Sequence, residues 1–309
     1  MSGGDSTIAA DQYLVLREGR GFVELADWSS VTVSGADRQT FLHSFCTNDI
    51  RRLAPGQSCE AFFTNVKGKL LGHGLVNCRE NELVFITVPG RASSLIAHLE
   101  RYVIREDVVL RDTTTARRYL LLSDGSAMSD AAPDVRWIAW DLIGRPSCGL
   151  LEASPSDVSR VREAILEREN GQCEMAAFEA LRIEAGMPLY GIDFDADNLP
   201  QEVGHDDRAI SFTKGCYLGQ ETVARIDALG HVNRKIAGVQ FAGAKIPQVG
   251  SELSSGGQSV GHVTSATFSP RLGAPLALAM LRRESLSPGT ELTSTIGSVR
   301  VVALPIGDG

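Results

Sequence analysis

The sequence predicts an α+β protein whose C-terminal quarter is a small antiparallel β-barrel. Two observations predict it. Through the first 230 or so residues, strand-length apolar runs are mixed with segments of helical periodicity, an order that favours sheets with helices packed on one face over a doubly wound parallel sheet. From Asn233 onward helical periodicity stops, and β-like runs follow one another between Gly, Pro and Ser.

Taken in order, Gly21–Leu25 and Val31–Val33 read as short strands after a polar opening that predicts nothing definite. Ser34, with Asp37 three residues on, reads as the cap of a helix whose apolar face is Phe41, Leu42 and Phe45. Cys59–Thr64 and Leu70–Asn77 form a predicted hairpin around Gly68, and Leu83–Val88 is a third strand. Residues 91–103 carry Leu95, Ile96, Leu99 and Val103 at helical spacing. Val108–Leu110, Arg118–Leu122, Arg136–Trp140 and Gly149–Glu152 are strand candidates, with a small-residue loop at Ser123–Pro133. Ser154-Pro155 predicts a helix start, and a second helix runs from about Glu174 to Ala185 and stops at Gly186. Barrel strands are predicted at Lys235–Phe241, Gln258–Phe268, Pro275–Leu281, Thr290–Ser294 and Ser298–Ala303. The expected domains are 12–112, 113–232 and 233–309, since 309 residues exceed one ordinary core.

Hydrophobic residues make up 43% and charged residues 22%, as in a globular protein, and the net charge of −8 argues against broad phosphate-backbone binding. No nucleic-acid partner is expected. No apolar run approaches the roughly 20 residues that span a bilayer, and the N-terminus lacks a secretory pattern, so neither a membrane nor export is expected. The six cysteines, 46, 59, 78, 148, 173 and 216, are scattered without a C-x-x-C pair. That predicts neither a disulfide framework nor a metal site, and suggests a reducing, cytoplasmic home. Histidines 43, 205, 231 and 262 likewise read as structural or surface groups.

Lys214-Gly215-Cys216-Tyr217-Leu218-Gly219-Gln220-Glu221 puts a thiol, a lysine and two glycines in a loop that opens a helix ending at Gly230. A thiol at or just before a helix N-terminus, two residues from Lys214, should ionise more easily than a free cysteine. The alternative is a small buried hydrophobe in a glycine-rich turn. Glu184 ends the preceding helix, where the dipole disfavours an anion. It reads either as an acceptor for a ligand's N–H edge or as an exposed acid paired with Arg182 or another base.

These residues carry a resemblance. Lys214–Glu221, flanked by Ser211-Phe212-Thr213 and Thr222-Val223-Ala224-Arg225, resembles the signature of the YgfZ-type folate-binding proteins. These are iron–sulfur cluster assembly or repair factors of the glycine-cleavage T-protein (aminomethyltransferase) superfamily. Arg182–Gly191, Gly35–His43, Thr47–Ile50 and Gly261–Ser265 are similar to other parts of that superfamily.

The resemblance implies a cloverleaf of two α+β domains, partly ferredoxin-like, and a C-terminal barrel around a central folate pocket. It implies tetrahydrofolate or a derivative as cofactor, with Glu184 as pterin ligand and Tyr217, Gln220 and Arg225 as further contacts. Cys216 and Lys214 become the functional thiol and lysine. Iron–sulfur client or assembly proteins become the expected partners, and a folate-dependent aminomethyl or one-carbon transferase is the alternative function. Against the alternative, Gly72 and His73 stand where the T-protein has paired aspartates, one of them catalytic. Glycine cannot transfer a proton; His73 has the chemistry of a base at neutral pH, but between two glycines it reads as a turn or surface residue.

Overall fold

The computed structural model describes residues 10–125, 135–168 and 171–307. The chain opens with helix α1 (Ala10–Arg17) and strand β1 (Gly21–Glu24). Next come β2 (Ser29–Ser34), α2 (Arg38–His43), β3 (Ser58–Thr64), β4 (Leu70–Cys78), β5 (Glu82–Thr87), α3 (Ala92–Leu99) and β6 (Val109–Asp112). A third stretch holds β7 (Arg118–Leu122), β8 (Arg136–Ala139), β9 (Gly149–Ala153), α4 (Val158–Leu166), β10 (Gly171–Gln172) and α5 (Met175–Ala185). Short helices α6 (Pro200–Val203) and α7 (Asp206–Ala209) precede α8 (Gln220–Leu229). The last segment is all strand: β11 (Arg234–Phe241), β12 (Glu252–Ser255), β13 (Gln258–Ser269), β14 (Ala274–Arg282), β15 (Glu291–Ser294) and β16 (Gly297–Val302).

These elements belong to two compact units. One joins Ala26–Arg118 to Leu189–Asn233. Its sheet runs β3-β4-β5-β2-β6. One face buries Val31, Val33, Phe63, Val76 and Phe85 against Phe41 and Phe45 of the α2 region and Leu95 and Leu99 of α3. The β3–β4 hairpin register pairs Phe63 with Gly72 and Phe62 with His73, so these two partners of β4 face opposite sides. At its tip Gly68 and Gly219 meet. A Cβ on Gly219 (φ +84°) would come 2.4 Å from the Asn65 carbonyl oxygen, and one on Gly68 (φ +74°) 2.7 Å from Thr222 Cβ. Both glycines are therefore required, by left-handed backbone and by close approach.

The other unit joins the residues up to Leu25 with Tyr119–Pro188 and Arg234 onward. It contains a five-stranded sheet, β10-β1-β7-β9-β8, and a closed barrel, β11-β14-β13-β12-β15-β16. Phe22, Leu120, Leu122 and Leu151 of the sheet pack on Val161 and Ile165 of α4. Val239, Leu253, Val263, Ala279 and Val301 fill the barrel. Helix α5 rests on the barrel wall, where Ile183 joins Leu276, Leu278 and Ile306. The mixed α+β architecture with a closed antiparallel C-terminal barrel is as the sequence predicts. No helix among the described residues is long and apolar enough to cross a membrane.

Several local expectations are corrected. Ser34 ends β2; the helix is capped at Asp37, whose carboxylate accepts the Asp107 N–H at 2.8 Å instead of capping its own helix. Ser154 bonds Asp157, and α4 starts four residues after Ser154, past Pro155. The predicted loop at 123–133 lies largely outside the described residues. Two elements carry almost no sequence signal. Helix α1 buries only Tyr13 and Leu16 and leaves Leu14 exposed. Strand β12 buries only Leu253, with a register slip beside it.

Candidate functional site

The Lys214–Glu221 loop is fastened along its length within its own unit. Thr47 Oγ donates to the Ala209 carbonyl at 2.6 Å, and Ser211 N donates to Thr47 O at 3.0 Å. Leu218 N donates to Ser44 O at 2.9 Å, and Thr64 Oγ donates to Leu218 O at 2.5 Å. At the centre is Lys214, 7% exposed. Its Nζ donates to the carbonyls of His43 (2.7 Å), Cys46 (2.6 Å) and Asn48 (2.9 Å). An ammonium has three N–H donors, and all three are used. The lysine that sequence reading set beside the thiol thus satisfies the carbonyls at the end of α2 and in the turn after it. Burial lowers its pKa from the usual lysine value, and the ring of Tyr217 lies 4.9 Å from Nζ. Tyr217 is itself buried, which raises its phenol pKa.

Cys216 is exposed, while Cys46, Cys78, Cys148 and Cys173 are buried and Cys59 is half-buried. This removes the reading of Cys216 as a small core hydrophobe. The helix begins later than the spacing suggests: Gly219 is the cap, so Cys216 lies three residues before it, on the loop rather than the first turn. The cationic group beside the loop is Arg51, whose terminal nitrogen lies 3.1 Å from where a Cβ on Gly215 would sit. Desolvation raises the Cys46 thiol and pushes Cys59 up to about 12. Gln220 is half-buried at the start of α8, and Arg225 is exposed. Of Val223, Ile226 and Leu229, spaced three apart along α8, only Val223 is fully buried.

His43, at the end of α2, is 3% exposed, and neither ring nitrogen has a hydrogen-bond partner. Asp49 Oδ1 lies 3.4 Å away. Burial, with the charges of Lys214 and Arg51, lowers its pKa from 6.5 to about 4 against the opposing pull of Asp49. The folded state therefore refuses a proton that the unfolded chain takes up. Stability from this group is intact above pH 6.5 and is lost as pH falls toward 4. Urea unfolding at pH 7 and pH 5 should show a drop to which His43 contributes about 2 kcal/mol, and His43→Gln should shrink that drop. An unchanged drop would remove His43 as its source.

His73 is not a turn or surface residue. It sits within β4, 4% exposed, with its ring stacked 4.6 Å from Phe62. Its Nε2 lies 2.8 Å from Glu60 Oε1, and His205 Nδ1 lies 3.0 Å from the same oxygen. Arg208 reaches Glu60 Oε2 at 2.8 Å. Glu60 is a diagonal cross-strand neighbour of His73, a relation that single-sequence reading misses because it depends on hairpin register. The two imidazoles hold the Glu60 carboxyl well below its usual pKa despite burial, and burial lowers His73. His205, expected as a structural or surface group, is thus a buried member of a Glu–His–His cluster. Gly72 faces the core beside Phe85, so position 73 alone of the two points toward this cluster.

In the other unit, Glu184 is 2% exposed. Tyr13 Oη donates to Oε2 at 2.6 Å, Ser269 Oγ donates to Oε1 at 2.5 Å, and Arg271 Nε is 3.8 Å from Oε2. Burial, then the bond and charge of Glu184, raise the Tyr13 phenol pKa. Arg182, the surface partner considered for Glu184, is fully buried and grips Glu179 at 2.6 and 2.8 Å. An ionised carboxylate has about four acceptor sites, so Tyr13 and Ser269 leave Glu184 capacity for a ligand.

Comparison with known proteins follows the same lines. Residues 234–307 match the family "Glycine cleavage T-protein C-terminal barrel domain". An aminomethyltransferase of Streptomyces avermitilis is 26% identical, covering 96% of this chain and 88% of its own length. One from a Synechococcus species is 27% identical over 91% of this chain and 84% of its own length. Among solved structures, the glycine cleavage system aminomethyltransferase T of Bartonella henselae superposes with a TM-score of 0.86 at 19% identity, over 96% of this chain and 89% of that one. The chain thus carries a T-protein C-terminal barrel domain at residues 234–307, has the fold of an aminomethyltransferase T and is similar in sequence to aminomethyltransferases along nearly its whole length.

Proposed function

We propose that the protein binds a tetrahydrofolate-type cofactor and handles a one-carbon group, of the aminomethyl kind, on it. The observation that carries this reading is the Glu184 carboxylate. It is buried, oriented by Tyr13 and Ser269, and retains acceptor capacity for the adjacent N–H donors of a pterin edge. The aminomethyltransferase relatives support the transferase form of the reading. The chemistry cannot use a carboxylate at position 72 or 73. The nearest one, Glu60, is already engaged by His73, His205 and Arg208.

A second reading, an accessory role in iron–sulfur cluster assembly or repair as the YgfZ-type resemblance implies, is favoured by one feature. Cys216 is the exposed thiol of the chain, on a loop held in place by Lys214. A lone cysteine can ligate a cluster only together with ligands from another molecule.

The test supplies the full chain with tetrahydrofolate and an aminomethyl-lipoyl carrier. In the reaction sought, the methylene carbon passes to folate as methylene-tetrahydrofolate, ammonia leaves, and the carrier sulfur is freed as a thiol. Folate-dependent ammonia release that survives Cys216→Ser supports the transferase. No turnover, with recovered folate of unchanged mass and Cys216→Ser abolishing iron–sulfur enzyme activities in a deletion strain, selects the accessory role.

A further inference from the structure

Glu60, His73 and His205 bring three ligating atoms together inside the unit that carries the motif loop. The Glu60 oxygen and the two imidazole nitrogens all lie within 4.8 Å of one another. The residues are 5%, 4% and 7% exposed. They come from three elements: β3, β4 and the cap position of α7. Side chains bonded to their carbonyls fix His73 and Glu60. Thr87 Oγ donates to the His73 carbonyl at 2.6 Å, and Asn48 Nδ2 donates to the Glu60 carbonyl at 2.8 Å. The His73 ring is held between the face of Phe62 and the edge of Phe194, whose centroid is 5.7 Å away.

We propose that Glu60, His73 and His205 bind one first-row divalent cation of the zinc or ferrous type. The donor set is one carboxylate and two imidazoles, which suits those ions and leaves positions open for water. Two ligands about 2.1 Å from a tetrahedral metal stand about 3.4 Å apart. The two Glu60–histidine distances, 2.8 and 3.0 Å, would open by about 0.5 Å, and the two imidazole nitrogens, within 4.8 Å of each other, would adjust to the same spacing. Each coordinating nitrogen must present a lone pair. With the cation bound, His73 Nε2 and His205 Nδ1 face the metal, and the ring proton of each sits on its other nitrogen. Arg208 holds Oε2, not the oxygen the histidines share, and it is one-third exposed. It orients the carboxylate from outside the ligand set. The proposal does not depend on the folate reading, because every ligand lies in the unit that lacks Glu184.

The test uses the full chain with Cys216→Ser, so that the exposed thiol does not compete for metal. Titration with Co2+ should give visible d–d bands that saturate at one equivalent, without a thiolate charge-transfer band. Zn2+ should displace the cobalt and raise Tm. His205→Asn should weaken binding 10- to 100-fold. Asparagine is a favoured helix cap, so this variant should fold. A readout that needs no further variant is the ring 15N spectrum of the six histidines. Zn2+ should convert His73 to its Nδ1–H form and His205 to its Nε2–H form. Absent cobalt bands, affinity unchanged by His205→Asn, or a spectrum in which neither ring changes tautomer would each overturn the proposal.

Discussion

Lys214→Met is expected to destabilise the protein by about 3–5 kcal/mol. Methionine keeps the apolar stem and removes the ammonium, so the carbonyls of His43, Cys46 and Asn48 lose their common donor in a buried place. Each orphaned acceptor costs about 1–3 kcal/mol, and three in one network do not add fully. Lowering of Tm by roughly 10 °C should accompany the loss. Arginine should not rescue it, because a planar fork does not fit three oxygens converging on a point charge. Native-state hydrogen exchange should report the cause: the Leu218 amide, bonded to Ser44 O, should lose protection first. A variant within about 1 kcal/mol of wild type would mean that the lysine is not what holds the motif loop.

Glu184→Gln is expected to weaken tetrahydrofolate binding by roughly 100-fold, about 3 kcal/mol, with little change in stability. Glutamine keeps the volume and can still bond Tyr13 and Ser269, because hydroxyls both donate and accept. It offers a pterin edge one acceptor oxygen and an amide NH2 that faces N–H with N–H. Glu184→Ala would confuse the result by leaving two buried hydroxyls without partners. A ligand-induced rise in Tm, large in wild type and absent in the glutamine variant, reports the difference.

Much of this molecule was legible in its residues. The β3–β4 hairpin, the end of α5 at Gly186 and the barrel strands carry period-2 alternation or a glycine stop, signals local to a few residues. What failed depends on tertiary placement. Helix α1 has a single buried apolar pair, yet supplies Tyr13 to Glu184. Lys214 and Cys216 are neighbours in sequence, but the ammonium is drawn to carbonyls 168 residues away, as at Cys46. The Glu60–His73–His205 cluster spans 145 residues and rests on strand register plus a four-residue helix. Motif reading singled out Cys216 and Glu184 as candidates. It could not tell which charged groups spend their bonds on the fold.

The most direct test of the account is calorimetric titration of the full chain with tetrahydrofolate, in parallel with Glu184→Gln and Cys216→Ala. One saturable site in wild type and in Cys216→Ala, lost in Glu184→Gln, is the predicted result. Absence of binding in wild type, or equal binding by Glu184→Gln, would contradict it.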